Sequence, residues 1–194
     1  MTRELQEKLE SYQRVWAEVD LDAIWENMVH MKENIAENTK ILAVIKTDGY
    51  GHGGVPIAKM LEQLDFMFGY AAATYEEAHV LREAGVKKPI LILGYTFPYC
   101  YEELIREEIR PAVYRRDTVE ELATAAAKVG QKAKVHIKVD TGMGCRSHSA
   151  VARGIQITGS LFLTYHSPRI LGNCYGVKMF CQYFRTCGEV FLAL

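Results

Sequence analysis

The chain has 194 residues, 49% hydrophobic and 24% charged, with a formal net charge of −1, proportions that fit one globular domain with a substantial core. No run of about eighteen apolar residues offers a membrane span, and the charged first ten residues lack the apolar centre of a secretory signal, so a soluble cytoplasmic protein is expected. The near-neutral charge gives no electrostatic case for nucleic acid, and neither a Walker A motif nor Gly-x-Gly-x-x-Gly is present.

Residues 1–13 read as a polar leading helix and residues 15–19 as a short strand. Asp20 is expected to cap a helix in which Leu21, Ile24, Met28, Met31 and Ile35 recur at spacings of three and four, forming one apolar face. Asn38 and Thr39 break that pattern before residues 41–45, five consecutive apolar residues that fit a buried parallel strand. A helix over residues 55–63 follows, with Ile57, Ala58, Leu61 and Leu64 inward, and then a strand at 67–71. Thr74 and Glu77 have capping-box spacing ahead of a helix that Gly85 can end. A third strand is expected at 90–93, a helix at 99–107 and a fourth strand at 111–114. Asp117 and Glu120 repeat the capping-box spacing before a helix ending near Gly130, and residues 134–140 make a fifth strand. This alternation implies a parallel sheet with right-handed crossovers, and pattern alone leaves a barrel and an open sheet both open.

The strand at 41–45 ends in Lys46, followed by Thr-Asp-Gly-Tyr-Gly-His-Gly-Gly. The carboxyl end of such a strand is where α/β folds place their chemistry. Desolvation disfavours the ammonium form of an enclosed lysine, and a neutral amine adds to carbonyl carbon, which suggests pyridoxal phosphate. The glycines let the backbone approach a cofactor, with Tyr50 and His52 bringing polar groups to the same rim. On pattern alone, the same lysine also reads as a strand-end amine reaching water beside an ordinary loop.

Residues 43–53, Ala-Val-Ile-Lys-Thr-Asp-Gly-Tyr-Gly-His-Gly, closely resemble the cofactor-lysine signature of alanine racemases, usually Ala-Val-x-Lys-Ala-x-Ala-Tyr-Gly-His-Gly. Residues 17–27 and residues 138–144, Lys-Val-Asp-Thr-Gly-Met-Gly, resemble two further stretches of that family in the same order. The resemblance runs from about residue 15 to residue 144. It implies a (β/α)8 TIM-type barrel with pyridoxal 5'-phosphate at its carboxyl face, of which this chain supplies about five βα units. It also implies interconversion of L- and D-alanine, with Lys46 as catalytic and cofactor-bearing residue and Tyr50 as a cofactor-binding residue. Lys138 takes the position where some members carry a carbamylated lysine that orients an arginine, and no metal is implied. The family works as a homodimer whose second base is a tyrosine from the other subunit's carboxyl-terminal domain. Two other readings stay open: a noncatalytic single-barrel pyridoxal-phosphate-binding protein, and a pyridoxal-phosphate-dependent amino-acid decarboxylase.

In residues 134–139 Lys134, His136 and Lys138 alternate with Val135, Ile137 and Val139, a pattern that by itself favours a solvated polar face, whereas inside a barrel the same face is enclosed and Lys138 needs a partner or a modification. After Gly144 the family continues with Arg-x-Gly, whereas this chain has Cys145, Arg146 and Ser147, so the arginine stands one residue late. The sequence also changes in kind here. Residues 1–144 carry a net charge of −5 and residues 145–194 carry +4, with Cys145, Cys174, Cys181 and Cys187 all in the latter. Their spacing makes no zinc pair, and a disulfide framework is not expected in a cytoplasmic chain. Residues 1–144 are thus read as the amino-terminal part of the barrel and 145–194 as an unassigned tail, for which a shifted reading frame and a diverged but genuine tail are the two readings, the family's carboxyl-terminal β domain being absent. Ending after five strands is expected to leave a hydrophobic parallel edge bare and the chain poorly stable.

Overall fold

The computed structural model describes Tyr12 and residues 17–139, 161–164, 184–185 and 189–193. The expected leading helix, apart from Tyr12, lies outside the described residues. Residues 17–19 have no regular structure, where the end of a short strand was expected. The first helix, α1 (Leu21–Glu33), begins as the sequence predicts: the Asp20 carboxylate accepts a hydrogen bond from the Ala23 amide at 3.0 Å. Its apolar stripe buries Met28 and Met31 and packs Leu21, Ile24 and Ile35 against the core.

Five strands then alternate with helices: β1 (Lys40–Val44), α2 (Gly54–Leu61), β2 (Met67–Ala72), α3 (Tyr75–Glu83), β3 (Ile90–Ile92), α4 (Tyr101–Arg106), β4 (Ile109–Val113), α5 (Arg116–Val129) and β5 (His136–Val139). Each strand pairs in parallel with the next, giving a curled half-barrel. The second capping box is not formed. Helix α5 starts at Arg116, two residues earlier than an Asp117 cap would require, its N-cap Arg115 makes no side-chain cap bond, and Glu120 pairs with Arg116 at 2.9 Å instead. Asp117 is engaged by Arg115 and by the Thr118 amide.

The sheet has two differently used faces. Ile41, Ala43, Tyr70, Ile90 and Ile92 point toward the helices and share one core with Ile57, Leu61, Leu81 and Leu104. Leu42, Val44, Ala71 and Leu91, with Phe68 and Leu93, form a second cluster built from strand residues and their immediate continuation alone, on the opposite face. Burying each such side chain contributes about 1.5–3 kcal/mol before the cost of ordering the chain. Tyr70 is fully buried, and its hydroxyl donates to the Ala58 carbonyl at 2.7 Å, tying β2 to α2.

Both edges of the five-stranded sheet are covered, in contrast to the bare edge expected from the sequence. Strand β6 (Leu161–Thr164) lies parallel to β5, strand β7 (Phe184–Arg185) is antiparallel to β6, and strand β8 (Glu189–Ala193) runs parallel to β1 along its whole length. The spatial order is therefore β7-β6-β5-β4-β3-β2-β1-β8. Pairing satisfies the backbone groups that an open edge would expose. Among the described residues, no helix is long and apolar enough to cross a membrane.

The β1–β2 register shifts between Ile41 and Leu42, which face Met67 and Gly69. A Cβ at Gly69 would lie 2.0 Å from the Pro89 carbonyl oxygen, the same oxygen that accepts the Tyr70 amide at 2.9 Å. The chain needs glycine there because another backbone fills the space. Gly69→Ala is expected to destabilise the fold by roughly 1–3 kcal/mol or more, read as a lower urea midpoint; an unchanged midpoint would contradict this packing.

Candidate functional site

Strand β1 carries Lys46 to the carboxyl end of the sheet. The Ile45 amide still donates to the Ala71 carbonyl of β2 at 2.9 Å, so the chain is held to the sheet until the residue before the lysine. Lys46 is half-buried, and its Nζ lies 5.8 Å from the centroid of the Tyr50 ring, within cation–π range. Tyr50 is 41% exposed, and partial burial pushes its phenol above the usual tyrosine range. The structure thus brings together two of the three residues singled out from the sequence.

The segment joining them, Lys46–Tyr50, is a left-handed turn. Thr47, Asp48, Gly49 and Tyr50 have φ of 55, 52, 63 and 56°, and Gly51 follows at 84°. L-residues other than glycine resist this region at roughly 1–2 kcal/mol each, so the surroundings must hold it. Within the turn, the Gly49 amide donates to Ile45 (2.9 Å), the Gly51 amide to Thr47 (3.0 Å) and the Gly53 amide to the Asp48 carbonyl (2.9 Å). The Asp48 carboxylate accepts from the Gly54 amide at 2.7 Å, and the His52 Nδ1–H donates to the Gly49 carbonyl at 3.0 Å. Asp48 therefore fastens the turn to the first residue of α2.

The second support comes from α3. Thr74 caps that helix, accepting from the Glu77 amide at 3.4 Å, as the capping-box spacing predicts. The Glu77 carboxylate then accepts from the Ala73 amide (2.9 Å) and from the Thr47 amide (3.0 Å). The spacing Thr74–Glu77 signals the helix start; nothing in it signals the partner thirty residues upstream.

Lys138 lies on β5, separated from β1 by three strands, so it is not a direct neighbour of Lys46 in the sheet. It is half-buried. The solvated face expected around it is not what forms: His136 is 3% exposed, and desolvation first, then the nearby Arg110 guanidinium, push its pKa down to about 3. Arg110 itself sits over the Phe68 ring at 5.4 Å. Lys134 precedes the strand and pairs with Glu108 at 2.9 Å. The strand closes over His136 because Val135 and Ile137 are drawn to the helix-side core. Asp140 to Ser147, with Arg146, lie outside the described residues, and among the described residues no group of three His, Cys, Asp or Glu side chains is placed to hold a metal ion.

Comparison with known proteins adds relatives to this geometry. The family described as alanine racemase, N-terminal domain, matches residues 19–151. "Alanine racemase 1" of Oceanobacillus iheyensis is 42% identical over 148 residues, covering 74% of this chain and 39% of the relative. Among solved structures, an alanine racemase of Clostridium difficile 630 is 40% identical with a TM-score of 0.65, covering 66% of this chain and 34% of that one. A histidine racemase from Leuconostoc mesenteroides subsp. sake is 28% identical with a TM-score of 0.59, covering 64% and 33%. The chain spans between about a third and a half of the length of the curated relatives it matches.

Two measurements follow from this geometry. Asp48→Asn keeps an acceptor for the Gly54 amide in a residue that tolerates left-handed backbone, whereas Asp48→Leu does neither; urea unfolding is expected to show a loss of about 2 kcal/mol for the leucine variant and little for the asparagine. His136 is neutral when folded down to about pH 3 and takes a proton near pH 6.5 when unfolded. The unfolded state binds the extra proton between those values, so stability falls as pH drops from about 6.5 toward 3, by up to roughly 1.4 kcal/mol per unit from this residue. His136→Gln is expected to flatten that slope.

Proposed function

The chain belongs to the alanine racemase family through its N-terminal domain, and from that membership we propose that it serves pyridoxal-phosphate-dependent racemisation of alanine. The observation that carries the reading is the half-buried Lys46 amine at the carboxyl end of β1, held beside the Tyr50 phenol by a strained turn. The donor set fits the cofactor: a primary amine suits an aldehyde carbon, and a part-exposed phenol suits an anionic group beside it. Lys46 would hold pyridoxal 5'-phosphate covalently, and Tyr50 would bind it. When bound, the cofactor supplies an electron sink for the pair left at an amino acid's α-carbon.

Lys46 Nζ has two tasks in this reading. It would hold the cofactor, and as a free amine it would take or return the α-proton on one face of the substrate. Racemisation needs a second base on the opposite face, and the reading takes the working enzyme to be a cytoplasmic homodimer, as expected for the family. Lys138 is proposed as the carbamylated lysine, whose anionic carbamate would orient a neighbouring guanidinium. The Leuconostoc relative is named for histidine, so the amino-acid side chain accepted is a property to be measured alongside the chemistry.

Incubation with pyridoxal phosphate, borohydride reduction and peptide mapping tests the central step. Cofactor mass confined to Lys46, and lost in Lys46→Ala, is the expected result. Mass scattered over surface lysines, or none, would contradict it.

A further inference from the structure

Glu77 occupies the third position of α3, where a capping-box carboxylate ordinarily returns to the amide of its own cap residue. Here it does something else. One oxygen accepts from the Ala73 amide at 2.9 Å and the other from the Thr47 amide at 3.0 Å, so a single carboxylate joins the loop after β2 to the loop after β1. The Thr47 amide belongs to the peptide unit that links it to Lys46. Fixing that unit fixes the backbone rotation immediately after the lysine and the first residue of the left-handed turn. Below it, the Ile45 amide is fixed to the Ala71 carbonyl. The lysine is therefore pinned on both sides, by β2 before it and by Glu77 after it.

We infer that Glu77 is a positioning residue for Lys46, holding the Lys46–Thr47 peptide so that the amine is presented to a carbonyl compound without first ordering the turn. The inference rests on the reading of Lys46 as the cofactor-bearing lysine. A carboxylate suits the role better than a neutral side chain, since both oxygens accept and hydrogen bonds to a charged acceptor are stronger. Glutamine keeps one acceptor and turns a donor toward the other amide. Alanine removes both.

The test compares the full chain with Glu77→Ala, Glu77→Gln and Thr74→Ala, the last removing the helix cap at the same turn without touching Thr47. The rate of pyridoxal-phosphate labelling at Lys46, trapped by borohydride, is followed with amide exchange at Thr47 and Ala73. Glu77→Ala is expected to slow labelling about tenfold, with Glu77→Gln between it and the parent chain. Exchange at both amides should rise in the Glu77 variants, while Thr74→Ala labels at the parent rate. Should Glu77→Ala fail to fold, the comparison of Glu77→Gln with Thr74→Ala decides. Labelling of a folded Glu77 variant at the parent rate would overturn the positioning role and leave the reading of Lys46 standing. Absence of confined labelling in the parent chain would overturn both.

Discussion

The left-handed turn that follows Lys46 is the constraint on which the rest depends. Four successive residues, of which Thr47, Asp48 and Tyr50 are not glycine, adopt a backbone that L-amino acids avoid. Such a run persists only where its surroundings over-determine it. Two carboxylates supply much of that determination: Asp48 from within, onto the Gly54 amide, and Glu77 from the neighbouring βα unit, onto the Thr47 amide. Strain and support together place the Lys46 amine 5.8 Å from the centroid of the Tyr50 ring at the mouth of the sheet.

The sheet makes this possible by separating its two faces. The helix-side face is an ordinary core of Ile, Leu, Met and Tyr, which fixes the strands against α1 to α5. The other face is apolar along β1 to β3 but carries Arg110 and His136 along β4 and β5. A buried imidazole beside a guanidinium stays neutral because both desolvation and repulsion oppose its proton. The chemistry-bearing side chains thus sit on a frame whose own stability comes from the opposite side.

Much of this was legible in the sequence. The alternation of strands and helices, the Asp20 cap, the inward stripe of α1 and the strand-end Lys46 all follow from local rules that the packing respects. What was not legible depends on contacts between distant residues. The spacing of Thr74 and Glu77 announces a helix start, but the carboxylate's bond to Thr47 exists only because β1 and β2 are adjacent. Asp117 and Glu120 show the same spacing and form no box, because Arg115 and Arg116 engage both carboxylates first. Alternation around His136 reads as a wet face, yet β4 and the helix-side pull of Ile137 bury it. The two sheet edges are paired by residues 161–164 and 189–193, for which local pattern suggested no strand, so neither pairing was anticipated.

Racemisation at this site requires Lys46 to exchange an α-proton. Incubating L-alanine in deuterium oxide with the protein and pyridoxal phosphate, and following the α-position and the chirality of the product, addresses it directly. Deuterium is expected at the α-carbon of both enantiomers, with no loss of mass as carbon dioxide and no exchange in Lys46→Ala. Carbon dioxide release would point to decarboxylation, and cofactor held at Lys46 without exchange would point to a binding module; either would contradict racemisation.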